Sequence, residues 1–213
     1  MPGILAIWND LEEGADDLFE RWYVDEHIPE RLAVPGFGAA HRYESQHATP
    51  RFFCYYEVAA PEVLASPDYL GRLAAPTALT RQVMPHFRNM IRTVCSIAGR
   101  SPRFALGGWV AASRIEGLVT DDCLRTAAAA CERHPGVLGV QWWRAAEQTP
   151  SAATTESRLR PGGDRSIRAA LIAEAMRERD AAAAAAGAAA ILGPNVQTGL
   201  YCTLGHWSSR REL

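Results

Sequence analysis

Two stretches a hundred residues apart decide the fold: Pro35 to Ser45, PGFGAAHRYES, and Pro135 to Glu147, PGVLGVQWWRAAE. Each opens on a Pro-Gly turn and runs into an apolar, aromatic-rich segment of the kind that suits a pleated, half-buried surface. Upstream of the first, Ile4 to Trp8 is a short apolar run followed by NDLEEGADD, whose carboxylates favour the unpaired N–H groups at a helix start. The spacing predicts a helix from near Ala15, with Leu18, Phe19 and Trp22 on one side and Tyr23 and His27 extending the Phe19 row by steps of four. Pro29 is expected to limit it, because its ring conflicts with the Asp25 carbonyl and it has no N–H to donate. Downstream, Arg51 to Val58 reads as a strand that forms a hairpin with the one before it. A second helix falls within Pro61 to Phe87, interrupted by Pro67, Pro76 and Pro85, and RNMIRTVCSIAG closes the half as a strand.

The second stretch sits in the same order of elements. Phe104 to Ile115 reads as a strand, and Thr120 to His134 as a helix that opens on a Thr-Asp-Asp cap. Ser166 to Met176 reads either as a strand or as part of the following helix, since its Ala, Leu, Glu, Met and Arg are good helix formers. Glu178 to Leu192 is a helix, and Gly199 to Trp207 a last strand. Two β-α-β-β-α-β units result, spanning 1–100 and 101–213. The class is α+β: each unit is a four-stranded antiparallel sheet with both helices on one face, and the other face needs cover. A second copy supplies it, through face-to-face packing or edge joining. Segment 145–165 is polar and rich in Pro and Gly, far longer than the matching loop of the first half. It reads as a mobile excursion, with a pocket lid as the alternative.

Composition excludes several functions. All 22 basic residues are arginines; with 24 acidic residues they leave a net charge of -2, spread along the chain, so no nucleic acid or anionic membrane is expected as partner. No apolar run approaches the roughly 18 residues a membrane helix needs, and no secretory signal opens the chain; a cytoplasmic location is expected. The lack of lysine and wealth of alanine read as coding bias. Five cysteines without CxxC spacing are expected to be reduced thiols, Cys54, Cys95 and Cys202 buried in strands.

The densest polar and aromatic cluster is FERWYVDEHIPERL, Phe19 to Leu32. His27 lies one turn from Tyr23 and, if the helix continues, one turn from Arg31. Near a helix C-terminus and beside Glu26 and Glu30, its imidazolium is favoured, and a pKa near neutrality would suit proton transfer. The competing reading is a histidine that only caps the helix. His41 shares a strand face with Tyr43, opposite Arg42, and has a structural or exposed role as its ordinary reading. His86 and His206 read as surface groups, and Trp109, Trp142 and Trp143 as core or pocket walls. Asp10, Glu12 and Glu13 read as helix-start carboxylates, and no metal is expected.

Phe19, Tyr23, His27 and Pro29, followed by the Pro35-Gly36 turn and the strand bearing Arg42 and Tyr43, resemble the EthD family of the dimeric α/β-barrel superfamily. The resemblance covers about the first 100 residues. It implies two ferredoxin-like units paired into a barrel around a pocket for a small apolar or aromatic organic molecule, with no cofactor. The superfamily includes cofactor-free monooxygenases, isomerases, cyclases, dehydratases and haem proteins. On that basis His27 is the expected general acid/base, with Tyr23 and Arg42 orienting it or polarising a substrate oxygen, and Asn9, Trp8, Tyr43, His41 and Arg31 contacting substrate. A homo-oligomer is admissible. The second half has no histidine aligned with His27, so the site is expected to be single. The alternative function is a non-catalytic ligand-binding or interaction protein on the same barrel, with haem binding through a lone pocket histidine less favoured.

Overall fold

The computed structural model of the chain describes residues 1–146, 154–194 and 196–209. The first half is β1 (Gly3–Leu11), α1 (Asp16–Trp22), a π-helical turn (Tyr23–His27), α2 (Ile28–Leu32), β2 (Phe37–Glu44), β3 (Phe52–Val58), α3 (Pro67–Ala74), α4 (Ala78–Val83) and β4 (Phe87–Arg100). The second is β5 (Trp109–Ile115), α5 (Asp121–Glu132), β6 (Val137–Ala145), α6 (Thr155–Arg158), β7 (Ala169–Ala175), α7 (Glu178–Leu192) and β8 (Val196–Ser208). Ser166 to Met176 therefore supplies a strand. The expected strand from Phe104 begins later, at Trp109.

The eight strands close into one barrel in the order β1-β3-β2-β8-β5-β7-β6-β4. Within each half the order is the ferredoxin-like one: the fourth strand pairs with the first, the first with the third, the third with the second. The halves join at their edges, β2 to β8 and β4 to β6, all antiparallel, so every strand has two partners and no edge is left to pair elsewhere. The mixed α+β fold is thus two ferredoxin-like units forming a dimeric-type α/β barrel within one chain.

Alternation along the strands separates two cores. Ile4, Ala6 and Trp8 of β1 point into the barrel with Tyr43, Phe53, Tyr55, Ile91, Trp143, Ile172 and Tyr201. Trp8 and Phe53 stack at 4.6 Å, and Tyr55 meets Trp143 edge-on at 5.0 Å. The barrel interior is therefore a packed aromatic core, which corrects the expectation of a ligand pocket there. Leu5 and Ile7 point outward, where with Phe19, Trp22, Tyr23, Phe52, Tyr56, Leu73 and Phe87 they pack the helices onto the first sheet. Ala127, Cys131, Leu171, Ala181 and Ala184 do the same for α5 and α7 on the second.

The prolines between β3 and β4 divide the expected second helix. Pro67 sits in the first turn of α3 behind the Ser66 cap, Pro76 separates α3 from α4, and Pro85 lies in a 3-10 turn at Met84–His86. The Thr120 side chain caps α5 by accepting from the Cys123 amide. Pro29 does not end the first helix. The chain stays helical to Leu32 through the π turn, in which the Ile28 N–H donates to the Tyr23 carbonyl five residues back. Widening the turn just before Pro29 relieves the clash between its ring and the carbonyl below it, which a regular α-helix would keep. Among the described residues no helix is long and apolar enough to cross a membrane.

Candidate functional site

The π turn sets the position of His27. A π turn brings residues five apart into register, and the His27 ring lies over Trp22 at 4.1 Å, with Tyr23 at 5.4 Å. His27 is 7% exposed, and among the described residues its ring nitrogens have no hydrogen-bond partner. It lines a cavity of about 30 Å³ between the helices and the outer face of the first sheet. Leu5, Ile7 and Asn9 form the floor from β1, Cys54 contributes from β3, and Met84 and Phe87 close one side.

Four charged groups share this cavity: Arg31, Arg92, Arg160 and Glu156. Arg31 donates from Nη2 to Glu156 Oε2 at 2.6 Å, while its Nη1 is buried without a hydrogen-bond partner. Burial works against the Arg31 charge, but Glu156 outweighs it and the pKa is raised. Arg160 grips Asp164 through Nη2 at 2.5 Å and holds Nη1 at 3.7 Å from Glu156 Oε1. Arg92 donates to the Tyr69 hydroxyl at 2.8 Å. Glu156 and Arg160 belong to segment 145–165, expected to be mobile. Residues 147–153 of it lie outside the described residues; the part from Thr154 to Arg165 includes α6, held by a reciprocal Thr154–Ser157 capping box, and plugs the first half's site. No sequence signal pointed to Glu156 and Arg160. Arg31, the partner of Glu156, lies 125 positions away, and only tertiary structure brings this segment to the cavity.

The imidazole is not poised near neutrality. Burial pushes its pKa well below the ordinary value, and Arg31, Arg160 and Arg42 push in the same direction. This corrects the expectation built on the helix terminus and on Glu26 and Glu30. The helix continues past His27, and Glu26 faces away, accepting from the Thr80 hydroxyl at 2.9 Å. Tyr23 stays protonated because burial raises its pKa; its hydroxyl lies 3.2 Å from that of Tyr56. Burial lifts the Cys54 thiol to about 11.

The remaining expected site residues divide between two faces. Asn9 is buried at the cavity floor, its Nδ2 donating to the Asp10 carbonyl at 3.3 Å. Arg42 lies behind Tyr23 with its guanidinium 4.3 Å from the ring, bound at both Nη atoms to Glu20 at 2.5 and 2.6 Å. It braces Tyr23 and does not line the cavity. Trp8, Tyr43 and His41 face the barrel interior, on the opposite side of the sheet from His27. His41 stacks on Tyr55 at 4.3 Å and shares a 2.9 Å Nδ1···Nδ1 contact with His206, with its pKa held down to about 3 by burial and by His206. His206 is exposed and reaches the edge of the interior through this one contact, and His86 is a surface group paired to Glu12 at 2.9 Å. Tyr43 donates to Glu174 Oε1 at 2.7 Å, and the Gly107 amide to Oε2 at 3.0 Å. Asp10 accepts from the Arg51 amide and from Asn89. Trp143 fills the barrel core, while Trp109 and Trp142 pack beside the second-half helices. Cys54 and Cys95 are buried as expected; Cys202 is exposed.

This arrangement of a closed eight-stranded barrel with a polar cavity under the helices of one half defines the class: a dimeric α/β-barrel protein. Solved structures of the same fold span the whole chain. An anthrone oxidase-like protein matches 100% of this chain and 94% of its own with a TM-score of 0.57 at 10% identity. A Fusobacterium nucleatum protein assigned as a candidate monooxygenase matches 97% and 94% with a TM-score of 0.59 at 6% identity. Chlorite dismutase from Candidatus Nitrospira defluvii matches 96% and 91% with a TM-score of 0.57 at 10% identity. No family profile matches the sequence, and no curated protein matches it at the sequence level.

Proposed function

We propose that the chain is a small-molecule enzyme of the EthD-like kind that works without a cofactor, removing a proton from a small aromatic or polyketide-like substrate at His27. The observation that carries this reading is the neutral, unpartnered imidazole of His27 in the cavity that also holds Arg31 Nη1, which has no hydrogen-bond partner and only Glu30 at 4.0 Å. A substrate C–H or O–H gives its proton to a ring nitrogen of His27, and the electron pair stays on the substrate as an enolate or phenolate. The guanidinium groups disfavour the imidazolium but favour that anion, so the ion pair formed in the step is held where its negative charge develops. Such proton removal begins isomerase, cyclase, dehydratase and monooxygenase chemistry alike. Tyr23, braced by Arg42, fixes the wall beside His27, and Asn9 is a hydrogen-bonding group at the floor.

The anthrone oxidase-like neighbour supports an anthrone as first probe. Anthrone and dioxygen would give anthraquinone and water, followed as oxygen uptake and quinone absorbance. His27→Gln should lower the rate at least about 100-fold, the usual loss of a general base, with little change in melting temperature. Turnover by the variant at the wild-type rate would refute the assignment. A large loss of stability with no wild-type turnover would favour the non-catalytic binding reading, which the ring packing of His27 on Trp22 supports. Haem fits the residues present poorly: one face of the His27 ring is covered by Trp22 at 4.1 Å, and the cavity beside it is lined by Arg31, Arg92 and Arg160 and not by the apolar slot that a porphyrin needs. Trp8, Tyr43 and His41, on the barrel side of the sheet, do not reach a ligand in this cavity. A homo-oligomer stays a proposal for light scattering; since the barrel closes within one chain, it would form through other surfaces.

A further inference from the structure

We infer that the ligand of this site is a carboxylate with an apolar aromatic body, its head group taking the place on Arg31 that Glu156 now occupies. The inference rests on the proposed small-molecule reading of the cavity and names the chemistry it selects.

Three observations carry it. The first is charge: Arg31, Arg92 and Arg160 line the cavity against one carboxylate, Glu156. Asp164 holds Arg160, and Glu30 lies 4.0 Å from Arg31 Nη1 but is shared with the exposed Arg72, so three guanidinium groups still face a single carboxylate on the cavity wall itself. An anion entering the cavity meets a wall of positive charge. The second is geometry. Arg31 is 2% exposed, one nitrogen bound to Glu156 and the other, Nη1, with no hydrogen-bond partner. A guanidinium is built for two parallel bonds to one carboxylate, and Glu156 makes one. The Arg31–Glu156 contact is therefore an incomplete version of the pair that the site can form.

The third is shape. The inner cavity, about 30 Å³, is too small for an organic molecule, but it adjoins an outer cleft of about 610 Å³, and the two share Tyr69, Arg92, Glu156 and Arg160 as walls. The cleft falls within the ~300–1,000 Å³ common for small-molecule sites. Its apolar side is Leu64, Leu70, Leu73, Val94 and Ile167. An apolar body in the cleft points its polar end at the shared wall, where Glu156 stands between it and Arg31. Displacing the Glu156 carboxylate opens space of the right size and leaves both Arg31 nitrogens for the incoming group. Glu156 thus acts as the occupant that a ligand carboxylate must outcompete, and as the group that keeps Arg31 satisfied in its absence.

The test compares naphthoate with its neutral isostere naphthamide by isothermal titration calorimetry on the full-length protein. Naphthoate should bind at least about tenfold more tightly, the scale of a buried charge-assisted hydrogen bond. Arg31→Met should bring the two ligands within about threefold of each other. Glu156→Gln, which removes the competing carboxylate, should tighten naphthoate severalfold and leave naphthamide nearly unchanged. If Arg31→Met does not fold, Glu156→Gln decides the matter alone: naphthoate binding that is unchanged or weaker overturns the inference. Naphthamide binding as tightly as naphthoate to the wild type also overturns it while sparing the small-molecule reading. Failure of both ligands to bind refutes the two together.

Discussion

Acidification from pH 6.5 to pH 5 should cost this protein about 2 kcal/mol of folding stability, and Glu174→Gln should roughly double the loss. His27 and His41 are buried neutral, with pKa values depressed chiefly by burial, that of His41 to about 3. A depressed histidine binds its proton in the unfolded chain and not in the folded one as pH falls below the unfolded value of about 6.5. Each costs roughly 1.4 kcal/mol per pH unit over that window, or about 4 kcal/mol for the two by pH 5. Glu174 acts in the opposite sense. Fully buried, it has a pKa raised by burial to about 7, so in the same window it is protonated in the folded protein and still ionised in the unfolded one. Acidification therefore returns about 2 kcal/mol through Glu174. Its stability contribution is complete below about pH 4.5 and is lost as pH rises through 7. Urea unfolding at pH 6.5 and pH 5, with the m-value checked for constancy, measures the difference. His27→Gln should cancel much of the wild-type loss by removing one of the fully buried titrations, while His206, whose pKa burial also lowers, adds a smaller loss in both proteins. A wild-type protein and a Glu174→Gln variant equally stable at both pH values would refute the buried-neutral state of the histidines.

Other substitutions separate the two faces of the first sheet. Trp8→Ala should cost about 3–5 kcal/mol in urea unfolding, because it empties part of the barrel's aromatic core, yet leave ligand affinity near wild type. A matching loss of affinity would return the site to the barrel interior. Pro29→Ala should leave the helix intact by circular dichroism but allow the π turn to relax, moving His27 off Trp22 and lowering turnover and ligand affinity at least severalfold. Unchanged affinity and turnover would show that the π turn does not position His27.

The scaffold was legible because periodicity and turn chemistry are local. The recurring Pro-Gly turns, the alternating strands and the Thr120 cap all act over a few residues, and each is present, with strand ends shifted by a few residues as at Trp109 and Val196. Candidate chemistry was half legible. His27, Tyr23 and Arg31 share one stretch of helix, so spacing alone brought them together. The side of the sheet on which the ligand belongs was not legible: Arg42 and His41 are neighbours in sequence, and alternation puts them on opposite faces without saying which face holds the cavity. The π turn was hidden for a similar reason. Pro29 announces a conflict with a regular helix, but ending the helix and widening it by one residue both resolve the conflict, and the packing of Trp22 against His27 favours the second.

Alanine, set aside as a compositional bias, explains how differently the two halves cover their sheets. In the second half, Ala127 and Ala128 of α5 and Ala181, Ala184 and Ala188 of α7 are buried in one cluster, and the Cys131 thiol reaches the Ala184 carbonyl at 3.3 Å. Small side chains let two helices approach closely and cover their sheet without large groups between them. In the first half the helices after β3 are short and separated at Pro76, and the space between helices and sheet is shared by His27 and Arg31 from the first helix with Tyr69, Met84 and Phe87, side chains of irregular shape. Shape mismatch there leaves a space, and α6, a segment of the second half, reaches across to fill its mouth with Glu156 and Arg160. The second half therefore does more than complete the barrel: it supplies the only carboxylate among the described residues that line the His27 cavity, and so sets the charge a ligand has to match.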